Sequence, residues 1–182
     1  MLHTTMGLDA WMLNRSSDPE VQAGRETRQL YARVRASSRL RRLWSALLGR
    51  SNHLLSLTEI GITRGTHNSH FAGLQTVPIR RIHGSEGRSD DFDSAFNPLG
   101  EHNRNRWLSV ATAWQLGIAL PPVKLIQVGG VFFVRDGHHR ISVAHAQGQE
   151  DIDAEVWVWQ LPEAAVCAPL MELSPASYSQ SS

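Results

Sequence analysis

Hydrophobic positions change their period several times along the chain, and each change marks an element. From Pro19 to Gly49 there is no internal proline, and Leu30, Tyr31, Val34, Leu40, Leu43, Trp44, Leu47 and Leu48 recur at spacings of three and four. That is the signature of an amphipathic helix. Asp18-Pro19-Glu20 supplies its start, with Asp18 as cap and Pro19 in the first turn. The pattern allows one long helix or two broken near Ser37-Ser38. Leu54 to Ile60 is a short apolar stretch that reads as a second helix opening at Ser56 or Thr58. Residues 61–73 lose periodicity and are rich in Gly, Thr, Ser, Asn and His, so they read as a linker or ordered loop. Val77 to Ile82 reads as a strand, with Pro78 placing it at a start or an edge.

Gly84 to Asp93 is a polar loop crowded with ionisable groups, continued irregularly through Phe96-Asn97-Pro98-Leu99-Gly100. Asn105 to Leu116 returns to helical spacing through Trp107, Leu108, Ala111 and Trp114, and Gly117 stops it. Pro121-Pro122 breaks the chain before a strand at Val123 to Val128. The Gly129-Gly130 turn and a second strand at Val131 to Val134 complete a β-hairpin. Ile141, Val143, Ala144 and Ala146 then shift to helical spacing, with Gly148 as the stop. Ile152 to Trp159 alternates, with Ile152, Ala154, Val156 and Val158 on one face. Three regions follow: an arginine-rich helical extension (1–73) opening with a loose or partly helical arm (1–17), a central domain (74–162), and a tail (163–182) whose end from Ser174 reads as disordered.

Composition narrows the picture. The chain has 182 residues, 41% of them apolar, enough for a real core. Its single cysteine, Cys167, excludes an intramolecular disulfide framework and a cysteine-rich zinc site. No apolar run reaches the roughly 20 residues needed to cross a bilayer, and no signal peptide is legible at the start, so the expectation is a cytoplasmic protein without a membrane span.

The net charge of +1 hides an asymmetry, +5 over residues 1–70 and −4 over residues 71–182. Between Arg25 and Arg50 stand eight arginines and one acid, Glu26. A helix of that kind can lie on nucleic acid, with Arg35, Arg39 and Arg42 as the contacts, on an anionic membrane, or in a partner's groove. Equally, it packs its apolar stripe on the protein and leaves the arginines in water. His67 and His70 have metal-like spacing but no further ligands near them.

The densest chemistry lies where the second hairpin strand meets the following helix, at Asp136-Gly137-His138-His139-Arg140. Gly137 permits a turn closed to residues with a Cβ, and Asp136 can cap the new helix. The first N–H groups of a helix have no partner inside it and carry the positive end of its dipole. Two histidines and an arginine on that turn are unfavourable unless something negative compensates them, so the corner reads as a phosphate-binding site, or else as one of the many capped strand-to-helix corners that bind nothing.

The order of strand, polar loop with Arg88 and Phe92-Asp93, helix, Pro-Pro-Val strand, hairpin, Asp-Gly-His-His-Arg, helix and strand resembles the ParB/sulfiredoxin superfamily, and within it the ParB-like nuclease domain. The resemblance covers roughly residues 75 to 160. Partitioning proteins carry Gly-Glu-Arg-Arg where this chain has Gly137-His138-His139-Arg140. Sulfiredoxins carry Gly-Gly-Cys-His-Arg there, which puts His138 in the place of their cysteine and argues against sulfinic acid reduction. No helix-turn-helix follows residue 162, which argues against a clamp reading a DNA site. The resemblance implies an α+β fold, a small mixed sheet with packed helices, whose corner holds nucleotide phosphates, often with magnesium.

These readings assign roles. The N–H groups of Gly137 to His139 and the Arg140 side chain would hold the phosphates of CTP or ATP. His138 and His139 would add hydrogen bonds or acid–base catalysis, and Asp136 would fix the corner or bind Mg2+. Adjacent side chains diverge by about 100° on a helix, so His138 and His139 are not expected to chelate one ion. From the facing loop, Arg88 would be a second phosphate clamp and Glu86 a general base, although Glu86 reads as readily as a solvated surface group. The function class is nucleotide binding, extending to hydrolysis, phosphoryl transfer or nuclease activity. The alternatives are a nucleic-acid binder using the basic helix and a non-catalytic regulatory or interaction module, with a homo-oligomer among the partners considered.

Overall fold

In the computed structural model, residues 18–49, 52–59, 62 and 68–160 are described. The expectations for the arm at 1–17, for His67 and for the tail from 163 lie outside them. The fold is α+β. Helix α1 is Pro19–Leu48; after it come strands β1 (Leu55–Ser56), β2 (Asn68–Pro78) and β3 (Ile82–Ser85). Helix α2 (Arg104–Gln115), the hairpin β4 (Val123–Val128) and β5 (Val131–Asp136), helix α3 (His138–Ala146) and β6 (Asp151–Gln160) complete it. The strands make one mixed sheet in the order β1-β3-β5-β4-β6-β2.

Helix α1 is a single unbroken rod. Asp18 caps it, its carboxylate accepting the Glu20 amide at 3.1 Å, and Gly49 ends it in the left-handed conformation at φ 62°. Tyr31 and Val34 bury against Trp107 and Ala111 of α2 and Val143 of α3. The Tyr31 and Trp107 rings meet at 5.2 Å, and the Trp107 indole N–H donates to Ser142 Oγ at 2.8 Å. α1 is thus one wall of the molecule's helical layer. The main core lies between this layer and the sheet, with Phe92, Leu125, Val134, Ile141 and Val156 at its centre.

Three expectations along residues 54–82 are corrected. The apolar stretch at Leu54 is no helix: Leu55–Ser56 pairs parallel with Gly84–Ser85. Leu54 enters the main core while Leu57 enters a second cluster with Ile126 and Phe133, a division that an extended backbone makes. Gly84 makes the pairing feasible, since a Cβ there would sit 2.5 Å from the Leu55 carbonyl oxygen. The strand expected at Val77 to Ile82 is instead a corner, with β2 ending at Pro78 and one 3-10 turn over Ile79–Arg81 before β3. β2 itself begins at Asn68, inside the stretch read as a loop and across the boundary drawn at residue 73. It pairs antiparallel with β6 from Asn68↔Gln160 to Pro78↔Asp151, and only Val77 along it is buried. Its strand character comes from that pairing and not from apolar alternation of its own.

Candidate functional site

β3 and β5 run parallel, with Ser85 beside Val134, so the loop leaving Ser85 and the helix entered through Gly137 emerge at the same end of the sheet. Such crevices beyond the carboxyl ends of strands are where open α/β sheets hold ligands. Gly137 makes the junction, with φ 102° and a site where a Cβ would lie 2.6 Å from Val123 Cγ1. Asp136 does not cap α3. Gly137 occupies the cap position without a side-chain bond, and the Asp136 carboxylate turns to Arg140 instead. The amides of His138, His139 and Arg140 consequently find no acceptor among the described residues; the first that does is Ile141 N–H, donating to Gly137 O at 3.0 Å.

Ser85 organises the facing loop. Its buried hydroxyl oxygen accepts the Arg88 amide at 2.9 Å and the Gly87 amide at 3.2 Å, and it lies 2.8 Å from His138 Nε2. With two amides donating to it, the hydroxyl spends its own proton on His138, so Nε2 accepts and the ring proton is assigned to Nδ1. Burial, reinforced by the Arg88 charge, lowers the His138 pKa to about 4. His139 is also lowered to about 4, by burial first and then by Arg106 and Arg88. Both rings are therefore neutral at physiological pH. Phe92, fully buried, stacks on His138 at 5.6 Å and meets His139 edge-on at 5.3 Å. Asp93, equally buried, accepts the Ala95 and Asn97 amides at 2.9 and 2.8 Å and the Asn97 side chain at 2.9 Å. Phe92-Asp93 thus builds the loop and floor from beneath.

Above this floor lies a cleft of about 350 Å³ lined by Arg88, Arg106, Asp136, Gly137 and the His138-His139-Arg140 turn. Arg88 is half exposed, with its nearest carboxylate oxygen, on Asp91, 3.8 Å away. Asp91 itself bonds His102 at 3.0 Å. Arg106 is exposed and has no ion-pair partner among the described residues. Sequence reading missed Arg106, although a signal was there: α2 opens Arg104-Asn105-Arg106 with no acid in its first turn, as α3 opens without one. His139 Nδ1 is buried without a hydrogen-bond partner.

Other residues are placed differently from their expected roles. Arg140 donates from Nη1 to the Pro122 carbonyl at 2.7 Å and to that of Pro121, and from Nη2 to Asp136 Oδ2 at 2.7 Å. Its guanidinium is thereby committed to tying the start of α3 to the Pro121-Pro122 segment. Glu86 does not line the cleft; its carboxylate accepts Arg135 Nε at 3.0 Å, where Arg135 also lies over the Trp157 and Trp159 rings. Arg35 is mostly covered, donating to the Pro98 and Leu99 carbonyls and pairing with Glu101 at 3.2 Å. It is a brace between α1 and the loop, withdrawn from any polyanion, whereas Arg39 and Arg42 are exposed.

The cleft does not fit magnesium as a protein-held ion. Asp136 is its only carboxylate, it is held by Arg140, and no cluster of three His, Cys, Asp or Glu suited to a metal occurs among the described residues. His70 stands exposed on β2, apart from any such cluster.

Fold and corner together define an α+β protein with a basic cleft where a parallel strand pair opens onto a helix start. No family model and no curated protein sequence matches the chain. Among solved structures it is similar to sulfiredoxin from Arabidopsis thaliana, at 17% identity and a TM-score of 0.33 over 46% of this chain and 82% of that one. The similarity is too slight to carry residue roles across. No described helix is long and apolar enough to cross a membrane.

Proposed function

We propose that the cleft binds the phosphate groups of a nucleotide. The reading is carried by one observation: unpartnered amides at the start of α3 share a cleft with Arg106, an arginine lacking an ion-pair partner among the described residues. Oriented amides and a guanidinium are the donor set that phosphate oxygens accept from. The neutral histidines add donors or acceptors without adding charge, and Arg88 faces Arg106 as the second clamp. Arg140 acts on the ligand through its grip on the corner. The volume lies at the lower end of the range for ligand pockets, enough for phosphates, with the sugar and base reaching outward. Magnesium would arrive on the phosphates. Any proton transfer in the cleft would fall to His139, because His138 is engaged by Ser85 and Glu86 by Arg135.

Calorimetric titration with CTP, ATP and pyrophosphate, each with magnesium, tests this. Wild type should bind at least one, and Arg106→Ala should weaken it roughly tenfold, the loss of one charge-assisted contact worth about 1.4 kcal/mol. Absence of heat with all three probes overturns the proposal, as does unaltered binding by Arg88→Ala and Arg106→Ala together. The nucleic-acid alternative loses Arg35 to its brace, and no observation in the cleft favours it.

A further inference from the structure

The last three turns of α1 present a surface that the phosphate cleft does not use. Leu40, Leu43, Trp44, Leu47 and Leu48 are between 59% and 76% exposed, a contiguous apolar stripe of five large side chains on a helix otherwise docked to the protein. At about 100° per residue, these five fall within roughly 140° of arc. Their centre lies roughly 150° round the helix from the face that buries Tyr31, Val34 and Ser38. The stripe therefore looks away from the body of the molecule and is open except along its Leu43 edge, where Arg39 and Leu43 border a hollow shared with Asn52 and His53. Arg39 and Arg41 stand about 100° to either side of its centre. From Thr27 to Gly49 the helix carries no acidic residue.

We infer that this end of α1 is a docking surface for an anionic lipid membrane, on which the helix lies in the plane of the interface. Each feature matches that occupant. An apolar arc with leucines and a tryptophan enters the acyl boundary, and arginines flanking it on both sides meet the phosphates. A convex stripe facing away from the body lets the rest of the protein stand clear of a flat surface over the stripe's length of about 12 Å. Charge argues against the other occupants. A second copy would bring Arg39 and Arg41 against their own kind with no acid in the segment to pair them. A nucleic acid would engage the arginines and leave five apolar side chains in water.

Flotation of the full chain with vesicles of phosphatidylcholine, with and without phosphatidylglycerol, tests the inference. Wild type should float with the anionic vesicles, and Arg39→Gln with Arg41→Gln should cut its partition roughly fivefold per arginine. Leu43→Gln with Leu47→Gln should cut it tenfold or more. Trp44 emission should move to the blue on binding, a shift absent from Trp44→Phe. The substituted side chains are mostly in water, so circular dichroism and the thermal midpoint should match wild type and separate lost docking from lost folding. Three outcomes overturn the inference: no flotation with anionic vesicles, flotation undiminished by the leucine substitutions, or self-association without lipid binding that those substitutions abolish.

Discussion

Among the described residues His138 and His139 are the histidines through which acid acts most strongly on this fold, with His83, also lowered by burial, adding in the same direction. Each of the adjacent pair has an ordinary pKa of 6.5 once unfolded and about 4 when folded, with burial the leading cause. Between those values the unfolded chain holds protons that the native state refuses, so stability is complete above about pH 6.5 and falls as the pH drops toward 4. For His138 the cause is visible atom by atom: a protonated Nε2 could not accept from Ser85, whose hydroxyl also holds the amides of the Arg88 loop. Urea unfolding followed from pH 7 to pH 4.5 should therefore show a falling midpoint, with unfolding taking up as many as two protons from this pair. A His138→Gln variant should show about half of that slope. Titration of the assigned His138 and His139 imidazole resonances near pH 6.5 in the folded protein would contradict the buried, neutral pair.

At the scale of elements, the junction between β5 and α3 shows what a pattern of residue types can and cannot disclose. Strand, glycine turn and helix were all legible, because β-branched and aromatic residues give way to helical spacing at Asp136-Gly137 and the backbone there has few options. The side-chain assignments were not legible. Arg140 looks like a ligand clamp in one dimension, but its guanidinium is met by two carbonyls from Pro121-Pro122, eighteen and more residues upstream, and by Asp136. Arg106 could not be placed on the cleft until α2 was seen to lie beside α3. β2 escaped for a related reason, since a mostly exposed edge strand owes its form to β6 some eighty residues away. The two arginines should consequently part in experiment. Arg140→Ala strands the partly covered Pro122 carbonyl and releases the exposed Pro121 carbonyl and Asp136 carboxylate to water, and urea unfolding should show a loss of about 1 kcal/mol. Arg106→Ala, on an exposed side chain with no ion-pair partner among the described residues, should leave the urea midpoint unchanged while weakening phosphate binding.

For the molecule as a whole, the question is whether α1 is an appendage, as its composition suggests, or part of the fold. Sequence divides the chain at residue 73 on charge and periodicity, yet Tyr31 and Val34 close over Trp107, Ala111 and Val143, and Thr27 and Ser38 are buried along the same face. Removing residues 1–50 would return these apolar surfaces to water at roughly 1.5–3 kcal/mol for each large side chain. Several such losses approach the whole stability of an ordinary domain, about 5–15 kcal/mol. The fragment 51–182 should thus lose its cooperative thermal transition and its near-ultraviolet dichroism, which Trp107 packed between three helices would otherwise contribute. A fragment that melts cooperatively with native near-ultraviolet dichroism would instead make α1 a separable extension. The same reasoning decides how the basic helix must be probed. A deletion that abolished ligand or surface binding would report collapse of the wall behind α3 as readily as loss of a contact. Only substitutions on the outward face, where Leu43, Leu47 and the flanking arginines are exposed and lie outside the helical core cluster, can separate what α1 holds together from what it docks against.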